Sequence, residues 1–197
     1  MKLKKKQLKI AKLREIVNNF ETTSPHTNTL IYAGSYEAIT SIGNVLCSVV
    51  SKKGTKLLNM FSKWLAVNYS NDFPLVEYIS RGIGVHNGQQ HRSLSQLQTY
   101  LFSDDSLDKD GLHYMISTSS LIQGVNTSAE NIIFWQRRNG QGNLKSLDYK
   151  NLIGRSGRMF RYFIGKVYLL DKPITYSLFN NLSNIIIFNL ISGIFIY

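Results

Sequence analysis

A single cysteine, Cys47, is the whole thiol content of the 197-residue chain. An internal disulfide framework is excluded, as is any metal site built on several thiolates, and a reducing cytosol is the expected compartment. Acidic residues are also few: twelve Asp and Glu stand against twenty-three Lys and Arg, and none occurs in the first fourteen positions, where seven of those cations lie. His86, His91 and His113 lack a metal spacing such as H-E-x-x-H, so no metal site is expected. No internal repeat marks a solenoid. The lysines of the opening segment interrupt any apolar signal core and no small-residue cleavage site follows, which excludes a secretory signal.

What remains is a globular balance, 43% hydrophobic and 18% charged, of a size suited to one ordinary domain. The net charge of +11 favours a polyanionic partner, either nucleic acid or an anionic membrane surface. Leu3, Ile10, Leu13, Val17 and Phe20 recur at helical spacing, so the basic opening is expected to be an amphipathic helix over 1–25. Its lysine face either meets phosphates or a membrane surface, or is simply solvated while the apolar stripe packs on the domain.

Short branched runs bounded by turn residues predict strands at 29–33, 82–86, 113–117, 131–135 and 165–170. Between them lie helical patterns, with Ser35 placed to cap the first, Pro74 to start a short one, and Leu57, Leu58, Phe61, Trp64, Leu65 and Val67 on another's apolar face. Trp64 reads as packing rather than as a base-stacking platform, and Cys47 as a core or near-core residue. Repeated strand and helix alternation predicts an α/β fold, a parallel sheet with helices on both faces. The final twenty residues carry no charge. They meet the length of a membrane span, but six Asn and Ser residues interrupt them, and 185–188 and 194–197 serve equally well as strands.

Ligands of open parallel sheets gather at the carboxyl ends of the strands, and the polar clusters of this chain fall there. Ser35 follows the first predicted strand, His86 and Gly88 the second, Thr118 to Asn126 the third. Gly154-Arg-Ser-Gly-Arg158 precedes the last. Two arginines three apart among glycines make either a solvated basic turn or a pair of planar donor forks suited to successive oxygens of a polyphosphate.

These segments, in this order, resemble the C-terminal RecA-like domain of superfamily two nucleic-acid helicases, the Ski-like DExH/DEAD-box group in particular, over roughly residues 26 to 171. Thr29 to Ser35 looks like motif IV. Val85-His86-Asn87-Gly88, with Arg92 and Phe102, looks like the V-H-H-G segment and its helix. Ser117 to Ala129 (S-T-S-S-L-I-Q-G-V-N-T-S-A) is similar to motif V, usually A-T-x-T-L-x-x-G-V-N-L-P-A, and Tyr149 to Arg158 is similar to motif VI, usually Y-x-Q-M-x-G-R-A-G-R.

The resemblance implies a P-loop-NTPase-type fold and a division of roles. Ser35, His86, Gly88 and Thr118 would contact the nucleic-acid strand; Gly124, Asn126, Asn151 and Gly154 would border the nucleotide. Arg155 and Arg158 would be arginine fingers, which stabilise charge on a transferring phosphoryl group and contribute on the order of 10³ to 10⁵ in rate. Plain structural roles stand beside these: Thr118 can cap a turn, Asn126 can sit in a left-handed conformation and His86 can be structural. Asn87 replaces the second His of the family pair, Thr127-Ser128 replaces Leu-Pro, and Asn151 replaces a Gln one methylene longer.

No G-x-x-x-x-G-K-[ST] and no DExH or DEAD sequence occurs. ATP with Mg2+ would therefore be bound mainly by a first RecA-like domain, missing or in another chain, and hydrolysis by this chain alone is not expected. Such helicases continue past motif VI, so 172–197 reads as a truncated continuation. Three functions follow: one motor half of a DNA or RNA helicase, a non-catalytic nucleic-acid-binding remnant of one, or a membrane-attached fragment.

Overall fold

The computed structural model describes residues 2–23, 27–103, 111–121, 129–140, 142–153, 165–171 and 185–189. In chain order these form α1 (Lys2–Thr23), β1 (Thr29–Tyr32), α2 (Tyr36–Val49), α3 (Lys56–Asn68), α4 (Pro74–Ser80), β2 (Ile83–His86), α5 (Arg92–Leu101) and β3 (Tyr114–Ser117). A 3-10 turn (Ser119–Leu121), β4 (Asn131–Phe134), β5 (Arg138–Asn139), β6 (Gly142–Asn143), α6 (Ser146–Ile153), β7 (Gly165–Leu169) and β8 (Ile185–Asn189) follow.

Six strands form one sheet in the order β2-β3-β1-β4-β7-β8, and every pairing in it is parallel. This is the α/β architecture expected of a RecA-like domain. β1 to β4 are buried at all four positions of each strand. Such runs, without alternation, fit strands covered on both faces.

The two covers can be assigned from contacts. Tyr168 of β7 meets Phe20 of α1 edge to face at 5.6 Å, whereas Phe134, which pairs with Leu169, meets Tyr149 of α6 at 4.6 Å. Because successive strand residues point to opposite faces, α1 and α6 lie on opposite sides of the sheet. The edge strand β2 is sealed by a side chain: Gln98 of α5 is fully buried, accepts from the Val85 amide at 2.8 Å and donates to Leu94 at 3.2 Å. That bond occupies a backbone donor which an edge strand would otherwise leave unpaired.

Helix α1 is anchored through Leu13, Ile16, Val17 and Phe20, all in the core. Leu3, expected on the same stripe, is 77% exposed. The Tyr114 hydroxyl donates to Glu21 at 2.8 Å, and Lys53 pairs with the same carboxylate. On α3 the apolar pattern overstates burial. Val67 is 84% and Trp64 49% exposed, although Trp64 keeps ring contacts with Phe61 and Tyr69. Cys47 is half-buried, as expected, and burial pushes its thiol pKa up. In the uncharged tail, Ile185–Asn189 pairs with β7 as a strand. Among the described residues no helix is long and apolar enough to cross a membrane.

The tightest helix contact sets a test. A Cβ on Gly43 of α2 would run into the ring and hydroxyl of Tyr78 on α4. Alanine gains roughly 1 kcal/mol over glycine in helix propensity, while overpacking costs about 1–3 kcal/mol. Overpacking is expected to prevail, so Gly43→Ala should lower the denaturant midpoint, and G43A combined with Y78F should not recover it, because the ring itself blocks the methyl group.

Candidate nucleic-acid interface at the carboxyl edge of the sheet

The four strands β2, β3, β1 and β4 end level. Their registers align His86 with Ser117, Ser117 with Tyr32, and Tyr32 with Phe134. Neighbouring strands stand about 4.8 Å apart, so the first loop residues after them share an edge about 14 Å long.

At one end of that edge His86 and Thr118 meet over Ser120. The His86 Nδ1 lies 3.1 Å from the Ser120 hydroxyl, and that hydroxyl lies 3.2 Å from Thr118 Oγ1. The Thr118 amide donates to the His86 carbonyl at 3.2 Å, which locks the two loops together. Burial holds the His86 pKa below its ordinary 6.5, with a backbone hydrogen bond opposing the shift in part. The ring is therefore neutral at pH 7. When Ser120 donates to Nδ1 the proton resides on Nε2, which makes His86 a hydrogen-bond donor without charge.

Ser35 follows β1 and caps α2, its hydroxyl accepting from the Ala38 amide at 3.3 Å. It also accepts from the Gln136 side chain at 3.2 Å, joining β1 to the chain that leaves β4. Gly34 makes this possible. Its φ of +73° suits glycine, and a Cβ there would strike the Arg138 carbonyl. That carbonyl accepts from the Tyr32 hydroxyl at 3.0 Å, and Gly140 donates to the Gly34 carbonyl at 3.0 Å. The β5–β6 hairpin is thus docked over the end of β1.

Gly88 is exposed one residue beyond Asn87, beside the Tyr36 hydroxyl at the start of α2. Asn151 is exposed on α6, whose Tyr149, Leu152 and Ile153 are buried. It makes no hydrogen bond to Ser35, His86 or Thr118 among those described. Gly124, Asn126, Gly154, Arg155 and Arg158 lie outside the described residues.

Three contributors escaped the sequence reading: Ser120, Gln136 and Arg138. Ser120 could have been found from the motif V-like run that contains it, and the hairpin carrying Arg138 from the Asn139-Gly140 dipeptide, a strong hairpin signal. Gln136 carries no local signal.

No protein-family model matches the chain. Among curated proteins it is similar to anti-bacteriophage protein B of Escherichia coli (strain K12), with 30% identity over 119 residues that cover 60% of this chain and 16% of that protein. It is also similar to the Hachiman protein HamB of Bacillus cereus, 27% identical over 74% of this chain and 13% of HamB. DNA polymerase theta of Caenorhabditis elegans is 25% identical over 71% of this chain and 8% of the polymerase. The chain therefore spans a small part of each of these relatives. Among solved structures, the C-terminal domain of the DEAD-box protein Dbp5 superposes with a TM-score of 0.47 at 15% identity, covering 81% of this chain and 68% of that one.

The buried His86 generates a pH test. Its folded-state pKa is depressed, so the unfolded chain binds more protons as pH falls below about 6.5, and stability must fall with it. The contribution is complete above that pH and is lost as pH drops through the lowered folded value. Denaturant midpoints measured from pH 7.5 to 5 should decline in the wild type and decline less in His86→Gln. An identical decline in both proteins would show that another group is responsible.

Proposed function

We propose that this chain is the C-terminal motor half of an ATP-dependent DNA or RNA helicase, incomplete without a first RecA-like domain. The observation that carries the proposal is the polar row at the carboxyl edge, where His86, Ser120 and Thr118 interlock next to the Ser35–Gln136 pair. Ser35, His86 and Thr118 in this row are positions at which the motif resemblance expects contacts to a strand. Hydroxyls, a neutral imidazole and loop amides suit phosphate oxygens and carry no base preference, as befits a motor that travels along its track.

In this reading Ser35, His86, Gly88 and Thr118 hold the backbone of the strand, and the nucleotide lies between this domain and the first. Gly124, Asn126, Asn151 and Gly154 border it, and Arg155 and Arg158 reach its outer phosphates on closure. Asn151, the described member of that set, is an exposed amide able to donate to or accept from a ribose or base. ATP and Mg2+ are accordingly assigned mainly to the first domain. When bound, they supply the phosphoryl group and neutralise its charge, while the two arginines of this chain stabilise what develops on the outer oxygens.

The similarity to anti-bacteriophage protein B supports a place within a larger defence protein, and the similarity to a DNA polymerase supports a nucleic-acid track. The absence of a P-loop also gives a second reading some weight, in which the chain binds nucleic acid and contributes nothing to hydrolysis.

An ATPase assay with a first RecA-like domain and single-stranded nucleic acid added separates the two. The helicase reading expects Arg158→Ala to reduce turnover on the order of 10³-fold. Equal turnover by wild type and variant overturns it and leaves the binding module.

A further inference from the structure

A groove between the start of α1, the first turn of α2 and the chain leaving β4 has, apart from Ser35, no role in the motif-based reading. Its position in the topology is informative. From β1 the chain proceeds to β2 on one side of the sheet, and from β4 it proceeds to β7 on the other. The carboxyl ends of β1 and β4 therefore flank a switch point, the crevice where open α/β sheets collect ligands.

Lys5, Lys6, Lys9 and Arg138 line this groove of about 390 Å³ together with Ser35 and the carboxylates of Glu37 and Asp171. The lysines arrive by the geometry of α1. Lys9 donates to the Trp135 carbonyl at 2.8 Å, pairs with Asp171 at 3.4 Å and lies over the Trp135 ring. Glu21, twelve residues later, meets Tyr114 at the opposite edge of the sheet. At about 1.5 Å per residue that distance is close to the length of a strand, so the residues before Lys9 project past the carboxyl edge.

The four cations are not equally engaged. Lys9 is neutralised by Asp171. Lys6 and Glu37 are 3.7 Å apart, and with the Glu37 side chain 89% exposed the pair is weakly held. Lys5 and Arg138 are exposed and have no ion-pair partner among the described residues. Ser35 belongs both to this groove and to the polar row that starts at His86, so the two surfaces are continuous.

We propose that this groove binds phosphates of a single-stranded nucleic acid, extending past Ser35 to Lys5 and Arg138 the path that begins at His86 and Thr118. The proposal rests on the nucleic-acid reading above. It adds α1 and the β5–β6 hairpin to the track, neither of which belongs to a helicase-like motif.

Binding of a fluorescent oligothymidylate to the full chain, followed by anisotropy from roughly 50 to 200 mM salt, tests it. Each lost phosphate contact lowers the slope of log affinity against log salt by about 0.7 for a single strand, so K5Q/R138Q should lower it by about 1.4 and weaken binding severalfold. K56Q/K63Q, which removes the same charge from α3, should keep the wild-type slope. Equal slopes for wild type and K5Q/R138Q, or equal losses in the two double variants, overturn the groove. Thr118→Ala distinguishes the failures: if it weakens binding while K5Q/R138Q does not, the groove falls and the strand reading stands; if it is also silent, both fall. Binding of poly-L-glutamate in place of oligothymidylate, abolished by K5Q/R138Q, assigns the groove to an acidic protein segment and overturns the proposal.

Discussion

Backbone pairing of β1 with β3 on one side and β4 on the other is the constraint on which the candidate site depends. The ladder does not stop at the strand ends. Ala33 donates to the Ser117 carbonyl, Trp135 to Tyr32 and Leu170 to Phe134, each at 2.8–3.0 Å. The first residue of three separate loops is thereby fixed to the strand beside it. Ser35 and Gln136 are then brought within a hydrogen bond, and Thr118 within one of the His86 carbonyl, although each pair is far apart in the sequence. A slip of one residue in any of these pairings would turn its side chains to the other face and take the following loop out of line. Burial on both faces opposes such a slip, because every position of β1 to β4 already occupies a packed site.

Much of this was legible in the sequence, for a physical reason. Strands buried on both faces must be short, apolar and ended by turn residues, and Thr29–Tyr32, Tyr114–Ser117 and Asn131–Phe134 satisfy that description. Ser35 before an apolar helical pattern, and Pro74 at a helix start, are local signals that proved sufficient. Less was legible where contacts are distant. Leu57, Trp64 and Val67 share a helical stripe with Leu58, Phe61 and Leu65, yet only the latter three are buried. Nothing local to Gln136 marks it as a partner of Ser35, and the motif V-like run that contains Ser120 does not name His86 as its partner. Those hydrogen bonds exist because strand order brings the loops together, and strand order is a property of the whole chain.

The distribution of charge on α1 shows the same division. Its sequence gives a basic helix with an apolar stripe, and the two alternatives drawn from it were a phosphate-facing surface and a solvated helix packed on the domain. The helix is divided along its length. Leu13, Ile16, Val17 and Phe20 are core residues, whereas the part before Lys9 carries its lysines beyond the sheet. Lys9 marks the junction: burial lowers its pKa and Asp171 opposes that shift, so the ion pair keeps a cation where desolvation would disfavour it. An uncompensated cation at that depth would be costly, and the pairing lets α1 pass from core to solvent without breaking.

The two halves of the proposed site consequently rest on different supports. The polar row at the carboxyl edge depends on sheet register and on Gly34, whose missing Cβ lets the β5–β6 hairpin approach. Helix α6, which precedes Gly154 in the sequence, is held to the sheet by Tyr149 against Phe134 and by buried Leu152 and Ile153. Phe134 links the supports, since its ring also contacts Tyr32, whose hydroxyl holds the Arg138 carbonyl. One aromatic side chain on β4 thus touches both the helix that leads into the arginine pair and the residue that secures the hairpin. A shift of α6 would have to repack Phe134 against Tyr32, and through Tyr32 would reach the bond that holds the hairpin.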